Sequence, residues 1–378
     1  MQQDLADEIR LKDTEQMPGF DFSQMLIDWQ KHHGRHFLPW QNTGDPYRIW
    51  ISEIMLQQTQ VATVIPYYAR FIERFPDVAS LAAAPLEEVL AQWSGLGYYQ
   101  RARNLHKCAG IIIADYGGRI PTEPAELEKL PGIGRSTAAA ISVFATGKGG
   151  ARAAILDGNA IRVFSRVFGV TGYAADKKVR DDLWQLAEHL LPDSEIKAYT
   201  QGLMDLGATV CTGSRPKCHL CPYADNCIAH RQGRQKELPA RRKAKILPER
   251  ETGMLVLVHR TMILLQKRPL SGIWGGLLSL PEWVGKDPET DAKALPEAVL
   301  PFGTIAFKRL LPAFVHTFTH FRLRVYPVLA VLSEVNENGL SDMDGEYVWH
   351  ELAGIENAPL PSPVRKLLLE TDFEVEQE

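Results

Sequence analysis

Four of the five cysteines stand together as Cys211-x6-Cys218-x2-Cys221-x5-Cys227, and thiols this dense either bind metal or pair as disulfides. Disulfides need an oxidising compartment, yet Met1 to Phe20 carries seven charged residues and no apolar core of the kind an export signal requires. The thiols are therefore expected to be reduced, in a cytoplasmic chain, and to hold metal. Zinc sites usually pair two C-x2-C units across a longer gap. One C-x2-C flanked by single cysteines at six and five residues stands closer to an iron–sulfur cluster, with zinc as the alternative. Cys108 sits apart on the apolar pattern Leu105, Ala109, Ile112 and reads as core packing.

The elements that must position these thiols divide the chain in two. At 378 residues, two or three domains are expected, each able to bury its own core. No apolar run approaches the roughly 20 residues of a membrane span. A net charge of -4 argues against a protein that coats nucleic acid over its whole surface. From Phe22 to Ala229 apolar residues recur at three and four, the period of helices, and Asp45-Pro46 reads as a cap and first turn for a helix through Trp50 and Ile54. Thr122 and Pro124 are expected to open another. From Thr252 the pattern turns to short β-rich runs, Met254 to Val258, Met262 to Gln266 and Val325 to Leu332. The boundaries that follow are a mobile segment over 1–20, a helical domain over 21–231, a basic linker over 232–250, an α+β domain over 251–370 and an acidic tail over 371–378. Between Arg231 and Arg250, eight Lys or Arg stand against two Glu, which suits either a solvated linker or a phosphate footprint.

Leu130-Pro131-Gly132-Ile133-Gly134-Arg135-Ser136-Thr137 lies between helical stretches, inside a helix–hairpin–helix expected over 123–146. A glycine-rich reversal of this kind can be an ordinary turn, or can present backbone amides and a helix N-terminus to phosphate. Upstream, Leu96-Gly97-Tyr98-Tyr99-Gln100-Arg101-Ala102-Arg103 mixes rings with arginines, a composition suited to base stacking and backbone contact.

The hairpin, then Leu156-Asp157-Gly158-Asn159, then the cysteine loop over 211–227 resemble the helix-hairpin-helix DNA glycosylase superfamily that carries a 4Fe-4S cluster. Leu38-Pro39-Trp40, Ser52 to Gln60 and Gly95 to Tyr99 resemble the adenine glycosylases of the MutY type within it. The resemblance implies a cluster held by Cys211, Cys218, Cys221 and Cys227, and a monomer whose partner is duplex DNA. It implies two catalytic carboxyls: Glu53 protonates adenine at N7 and activates water, and ionised Asp157 stabilises the cationic sugar, in the two-carboxylate logic of glycoside hydrolysis. Burial among Ile51, Ile54, Met55 and Leu56 would raise Glu53 toward the range of a general acid. Read without the resemblance, Glu53 is a residue on an amphipathic helix and Asp157 a helix cap. DNA contacts are expected from Gln58, Thr59, Leu96, Tyr98, Gly132, Gly134, Arg135 and Ser136, with Trp40 and Gln201 near the flipped adenine. Lyase relatives carry lysine where Ser136 stands, so excision without efficient strand cleavage is expected.

Lys267-Arg268-Pro269 and Ile273-Trp274-Gly275-Gly276-Leu277 resemble the opening of a Nudix fold. The glutamate-rich helix that would hold Mg2+ does not follow Leu280, where Pro281-Glu282-Trp283-Val284-Gly285 stands, so no Mg2+-dependent hydrolysis is expected. The resemblance assigns this domain to reading 8-oxoguanine opposite adenine through His316, Phe318, Thr319 and His320, with Thr319 where the family pattern has serine. The competing readings are a thymine or uracil glycosylase acting on G mismatches and a noncatalytic iron–sulfur protein that binds DNA.

Overall fold

The computed structural model describes residues 20–146, 151–242, 246–283, 299, 301–336 and 346–373. The expected mobile N-terminal segment, apart from Phe20, and residues 374–378 of the acidic tail lie outside this range, as do Val284 to Asp287 in the stretch that replaces the Nudix helix. Two compact units form: one draws on residues 1–82 and 107–243, the other on 83–106 and 244–378.

The helices in chain order are α1 (Phe22–His33), α2 (Pro46–Leu56), α3 (Val61–Arg74), α4 (Val78–Ala83), α5 (Leu86–Trp93), α6 (Gln100–Tyr116), α7 (Pro124–Leu127), α8 (Arg135–Ala145), α9 (Gly158–Val167), α10 (Lys177–His189), α11 (Ile196–Thr209), α12 (Ile228–Arg231) and α13 (Ser362–Glu370). Four of them start on an aspartate that accepts backbone amides: Asp21 for α1, Asp45 with Pro46 for α2, Asp77 for α4 and Asp157 for α9. The helix expected from Thr122 is only the four-residue α7, preceded by Glu123 with no capping side chain. A helix this short holds through tertiary contacts rather than its own propensity.

The first unit buries an aromatic centre. Phe22 stacks on Tyr223 with ring centroids 4.4 Å apart, and the Tyr223 hydroxyl donates to the Phe22 carbonyl at 2.8 Å. Phe164 of α9, Tyr199 and Leu203 of α11, and two of the clustered cysteines, Cys211 and Cys227, belong to the same core. The two ends of the cysteine loop are thus anchored in the hydrophobic interior, and truncating Tyr223 would cost about 3–5 kcal/mol as a large-to-small core change.

The second unit is built on a mixed sheet of β1 (Glu249–His259), β2 (Met262–Lys267), β3 (Leu278–Ser279), β4 (Glu282–Trp283), β5 (Gly303–Leu310), β6 (Phe314–Thr317), β7 (Arg322–Val335) and β8 (Glu346–Glu351). Its order is β3-β2-β1-β7-β5, with β1 and β7 parallel, while β4 joins β1, β6 joins β7 and β8 joins β2. The three expected β runs lie within β1, β2 and β7. One segment differs from the sequence expectation: residues 83–106, placed there within the helical domain, pack with the sheet unit. Ser94 Oγ donates to the Leu360 carbonyl at 2.6 Å, and Arg365 Nη2 of α13 donates to Ser94 Oγ at 2.7 Å. Helical periodicity shows that a helix has an apolar face and is silent on which core receives it.

Candidate active site

The first unit encloses a cavity of about 1060 Å³ whose wall includes Glu53, Asp157, Gln57, Thr59, Ser136, Trp40 and Gln201. Helix α2 is buried through Trp50, Ile51, Ser52, Ile54 and Met55, so Glu53 lies on a helix with apolar packing nearly all round rather than on an amphipathic surface. Its carboxyl faces the cavity. Burial first, and then the charge of Asp157, push Glu53 up to about 8.

Asp157 differs in one decisive way. Burial raises it as well, but it caps α9, accepting from Asn159 N at 3.1 Å, Ala160 N at 2.8 Å and Asn159 Nδ2 at 2.9 Å, and these donors with Arg162 favour its ionised form. The influences on Glu53 act upward, whereas those on Asp157 oppose one another. Of the two carboxyls, Glu53 is thus the one whose surroundings favour the protonated form throughout, while the donors at Asp157 counter the effect of its burial.

Neighbouring backbone fixes this pair. Gln57 Nε2 at the end of α2 reaches the Gly132 carbonyl at 3.4 Å and Thr137 Oγ1 at 3.3 Å, tying α2 to the hairpin. Ser136 Oγ accepts from Leu156 N at 3.0 Å, which fixes the chain entering Asp157. At Gly207 a Cβ would lie 2.4 Å from the Asn159 Cβ, so only glycine lets α11 approach α9 there. On the far wall Gln201 Nε2 donates to Asp205 Oδ1 at 2.9 Å, and the buried Asp205 carboxylate takes Arg35 Nη2 at 2.7 Å. Trp40 is buried, its ring edge on to Tyr68 at 5.4 Å.

The other expected DNA contacts fare differently. Gln58 and Tyr98 hold left-handed backbone at φ 57° and 51°, a conformation that side-chain-bearing residues keep only where surrounding structure enforces it. Tyr98 is 50% exposed, but Leu96 is only 6% exposed, so its side chain is core rather than a contact surface. Gly132 has φ 82°, and Gly134 caps α8 with open space around it. Arg135 is paired with Glu188 and lies 3.9 Å from the Trp184 ring. Arg101 and Arg103, read from sequence as phosphate contacts, instead donate to the backbone carbonyls of Gly97 and Gly275.

All four clustered cysteines are unpaired and line one small cavity with Tyr223, His230 and Gln235. Among the described residues no group of three or more His, Cys, Asp or Glu side chains is placed to hold a single metal ion. Burial pushes the Cys221 thiol up to about 12 and raises Cys227, with the other thiols adding to both. Arg166 Nη1 donates to Cys211 Sγ at 3.4 Å and to the Thr212 carbonyl at 2.7 Å. Arg162, one turn earlier on α9, donates to the Cys211 carbonyl at 2.6 Å and to Asn159 Oδ1 at 2.8 Å. One helix thus braces both the carboxylate cap and the cysteine loop, through arginines that the sequence reading did not single out. Their spacing of four, one helical turn, was the available signal.

In the second unit His316 and Phe318 meet edge to face at 4.7 Å, and both pack on Trp274 at 5.9 and 5.6 Å. Thr319 and His320 are exposed beside them, Thr319 Oγ1 lying 3.3 Å from His320 Nδ1.

Residues 51–189 match the HhH-GPD superfamily of base excision DNA repair proteins, and residues 253–370 match the NUDIX domain. The chain is 37% identical to an adenine DNA glycosylase of Buchnera aphidicola subsp. Schizaphis graminum, over 92% of this chain and 97% of that one. It is 32% identical to the adenine DNA glycosylase of Rattus norvegicus, over 92% of this chain and 77% of that one. Among solved structures, a thermostable thymine-DNA glycosylase aligns with TM-score 0.50 and 34% identity, covering 56% of this chain and 95% of that one.

Proposed function

The chain belongs to the adenine DNA glycosylases, and on that premise we propose that it removes adenine mispaired with 8-oxoguanine, or with guanine, by hydrolysis in duplex DNA. The observation that carries the proposal is the presence of Glu53 and Asp157 on the wall of one cavity, with Glu53 pushed up to about 8 and Asp157 held by three donors. A purine extruded from the helix enters this cavity. Protonated Glu53 donates to adenine N7 as the bond from base to sugar breaks, and the Asp157 anion stabilises the positive charge that develops on the sugar. Glu53, now a carboxylate, takes a proton from the incoming water. The wall at Ser136 offers a hydroxyl already engaged with Leu156 N, which supports hydrolysis over imine formation.

We also propose that Cys211, Cys218, Cys221 and Cys227 hold one 4Fe-4S cluster. Four cysteines lining one small cavity fit the donor set, and Arg166 supplies a hydrogen bond to sulfur of the kind that tunes such sites. When bound, the cluster would neutralise and fasten the loop. The half-buried His316 and Phe318 with the exposed Thr319 and His320 are proposed to read the base opposite adenine, and Tyr98 to stack in the gap left by the flipped base.

Gel analysis of labelled duplexes carrying A opposite 8-oxoguanine, A opposite G, and T opposite G tests the reading. Cleavage of the first two, and only after alkali, is expected. Cleavage of T opposite G would favour the thymine glycosylase reading, which rests on a likeness covering 56% of the chain against 92% for the adenine relatives. Lys197 also lines the cavity, so borohydride trapping with Lys197→Ala as control identifies the source of any imine. Abundant trapping would overturn the hydrolytic assignment.

A further inference from the structure

The first turn of α6 carries two arginines that brace two different loops of the second unit. Arg101, 8% exposed, donates through Nη2 to the Gly97 carbonyl at 3.1 Å, and its guanidinium lies 5.5 Å from the Tyr98 ring. Arg103 donates through Nη1 to the Gly275 carbonyl at 2.5 Å. Gln100 Oε1 accepts from Arg103 Nε at 3.2 Å and Nη2 at 2.9 Å, which holds the fork in place, and Gln100 Nε2 is itself fixed on Asn104 Oδ1 at 2.8 Å. Burial lowers the pKa of both guanidinium groups. A desolvated cation spent on a backbone carbonyl makes sense where that carbonyl must be held in place.

The Gly275 turn is such a place. A Cβ at Gly275 would lie 2.4 Å from the Leu270 carbonyl oxygen, so the turn closes only on glycine. Its neighbour Trp274 holds φ 55°, a left-handed backbone in a residue with a large side chain. The buried Trp274 ring packs on both His316 and Phe318, next to the exposed Thr319 and His320. Tyr98, with φ 51°, is the other left-handed aromatic among the described residues, and Arg101 of this helical turn lies against its ring.

We propose that Arg103 is a positioning residue for discrimination of the opposite base. It holds the Trp274 turn, and through it the loop 316–320, on the same helical turn by which Arg101 holds Tyr98, so that the stacking ring and the reading loop meet the duplex as one rigid body. The inference rests on the proposed reading role of that loop, and its test separates the two.

The experiment measures binding and single-turnover excision for A opposite 8-oxoguanine and A opposite G, using the full chain with its cluster. Arg103→Ala is expected to reduce the preference for 8-oxoguanine about tenfold, mainly in affinity, with excision opposite G and the thermal midpoint close to native. Arg103→Lys keeps one donor for Gly275 and is expected to recover most of the preference. Phe318→Ala alone should cause a loss of similar size, and the double variant should lose no more than the larger single loss, because both remove one device. Multiplicative losses would overturn the coupling, as would an equal fall on both duplexes with a lowered midpoint, the mark of a purely structural arginine. A Phe318→Ala protein with native preference would instead remove the reading role of the loop, and the coupler with it.

Discussion

The cavity at Glu53 and the cavity at the cysteines are two answers to the same physical problem. Each buries groups that titrate, and in each burial drives the pKa up, Glu53 to about 8 and Cys221 to about 12. Around Glu53 the unfavourable ionisation is left in place, and a carboxyl that keeps its proton near neutrality suits the proposed role of general acid. Around the cysteines the proposed cluster would replace the thiol protons with metal, and Arg166 already donates to one sulfur. Helix α9 joins the two, with Asp157 at its cap and Arg162 bridging Asn159 to the Cys211 carbonyl. The lesson is that burial alone does not define a site; what opposes or completes it does.

The largest expected effect comes from removing the proton donor. Glu53→Gln should slow excision about 10⁴-fold with mismatch binding retained, measured by single-turnover kinetics and gel shift. The sign of its stability effect is opposite. A carboxyl whose folded pKa lies above its ordinary 4.5 contributes stability that is full below that value and lost as pH rises through about 8. Glu53→Gln should therefore melt higher than native at pH 8.5, and a lower midpoint would count against a buried, protonated Glu53.

Asp157→Asn should cost less, about 10²-fold to 10³-fold, because the amide keeps the cap but loses the anion beside the developing cation. A rate within threefold of native would assign Asp157 to capping alone. Cys221→Ser should lower stability by about 3 kcal/mol or more, with DNA affinity falling in parallel, since it leaves the other buried thiols uncompensated. Protein without iron that melts and binds as native would separate the cysteine loop from the account. The smallest effect is expected at Ser136→Ala, where the Leu156 amide loses its acceptor at a cost of about 1–3 kcal/mol in the placement of Asp157. A calorimetric midpoint with matched rates measures it.

Much of this was legible in the chain. The change of period near Thr252 marks the two classes of structure, the Asp45-Pro46 pair marks the start of α2, and Asp157 reads as a cap, which it is. Glu53 could not be placed from burial alone, because a glutamate among apolar neighbours can face water. What sequence could not show is partnership at a distance. Arg101 and Arg103 beside aromatic rings resemble a phosphate surface, and only their acceptors at Gly97 and Gly275 reveal them as braces. Arg135 meets Glu188 across 53 residues. Leu96 is buried, and residues 83–106 group with the sheet unit, where Ser94 meets Leu360 and Arg365, pairings that helical period does not show.

The most direct test of the two-carboxyl site is the pH dependence of single-turnover adenine excision opposite 8-oxoguanine, from pH 5 to 10, in the native protein and Glu53→Gln. A native rate that falls as pH rises through about 8, and a far slower variant without that fall, are expected. A native rate that climbs through the same range, or a variant that keeps the native profile, would contradict the assignment of Glu53 as the acid.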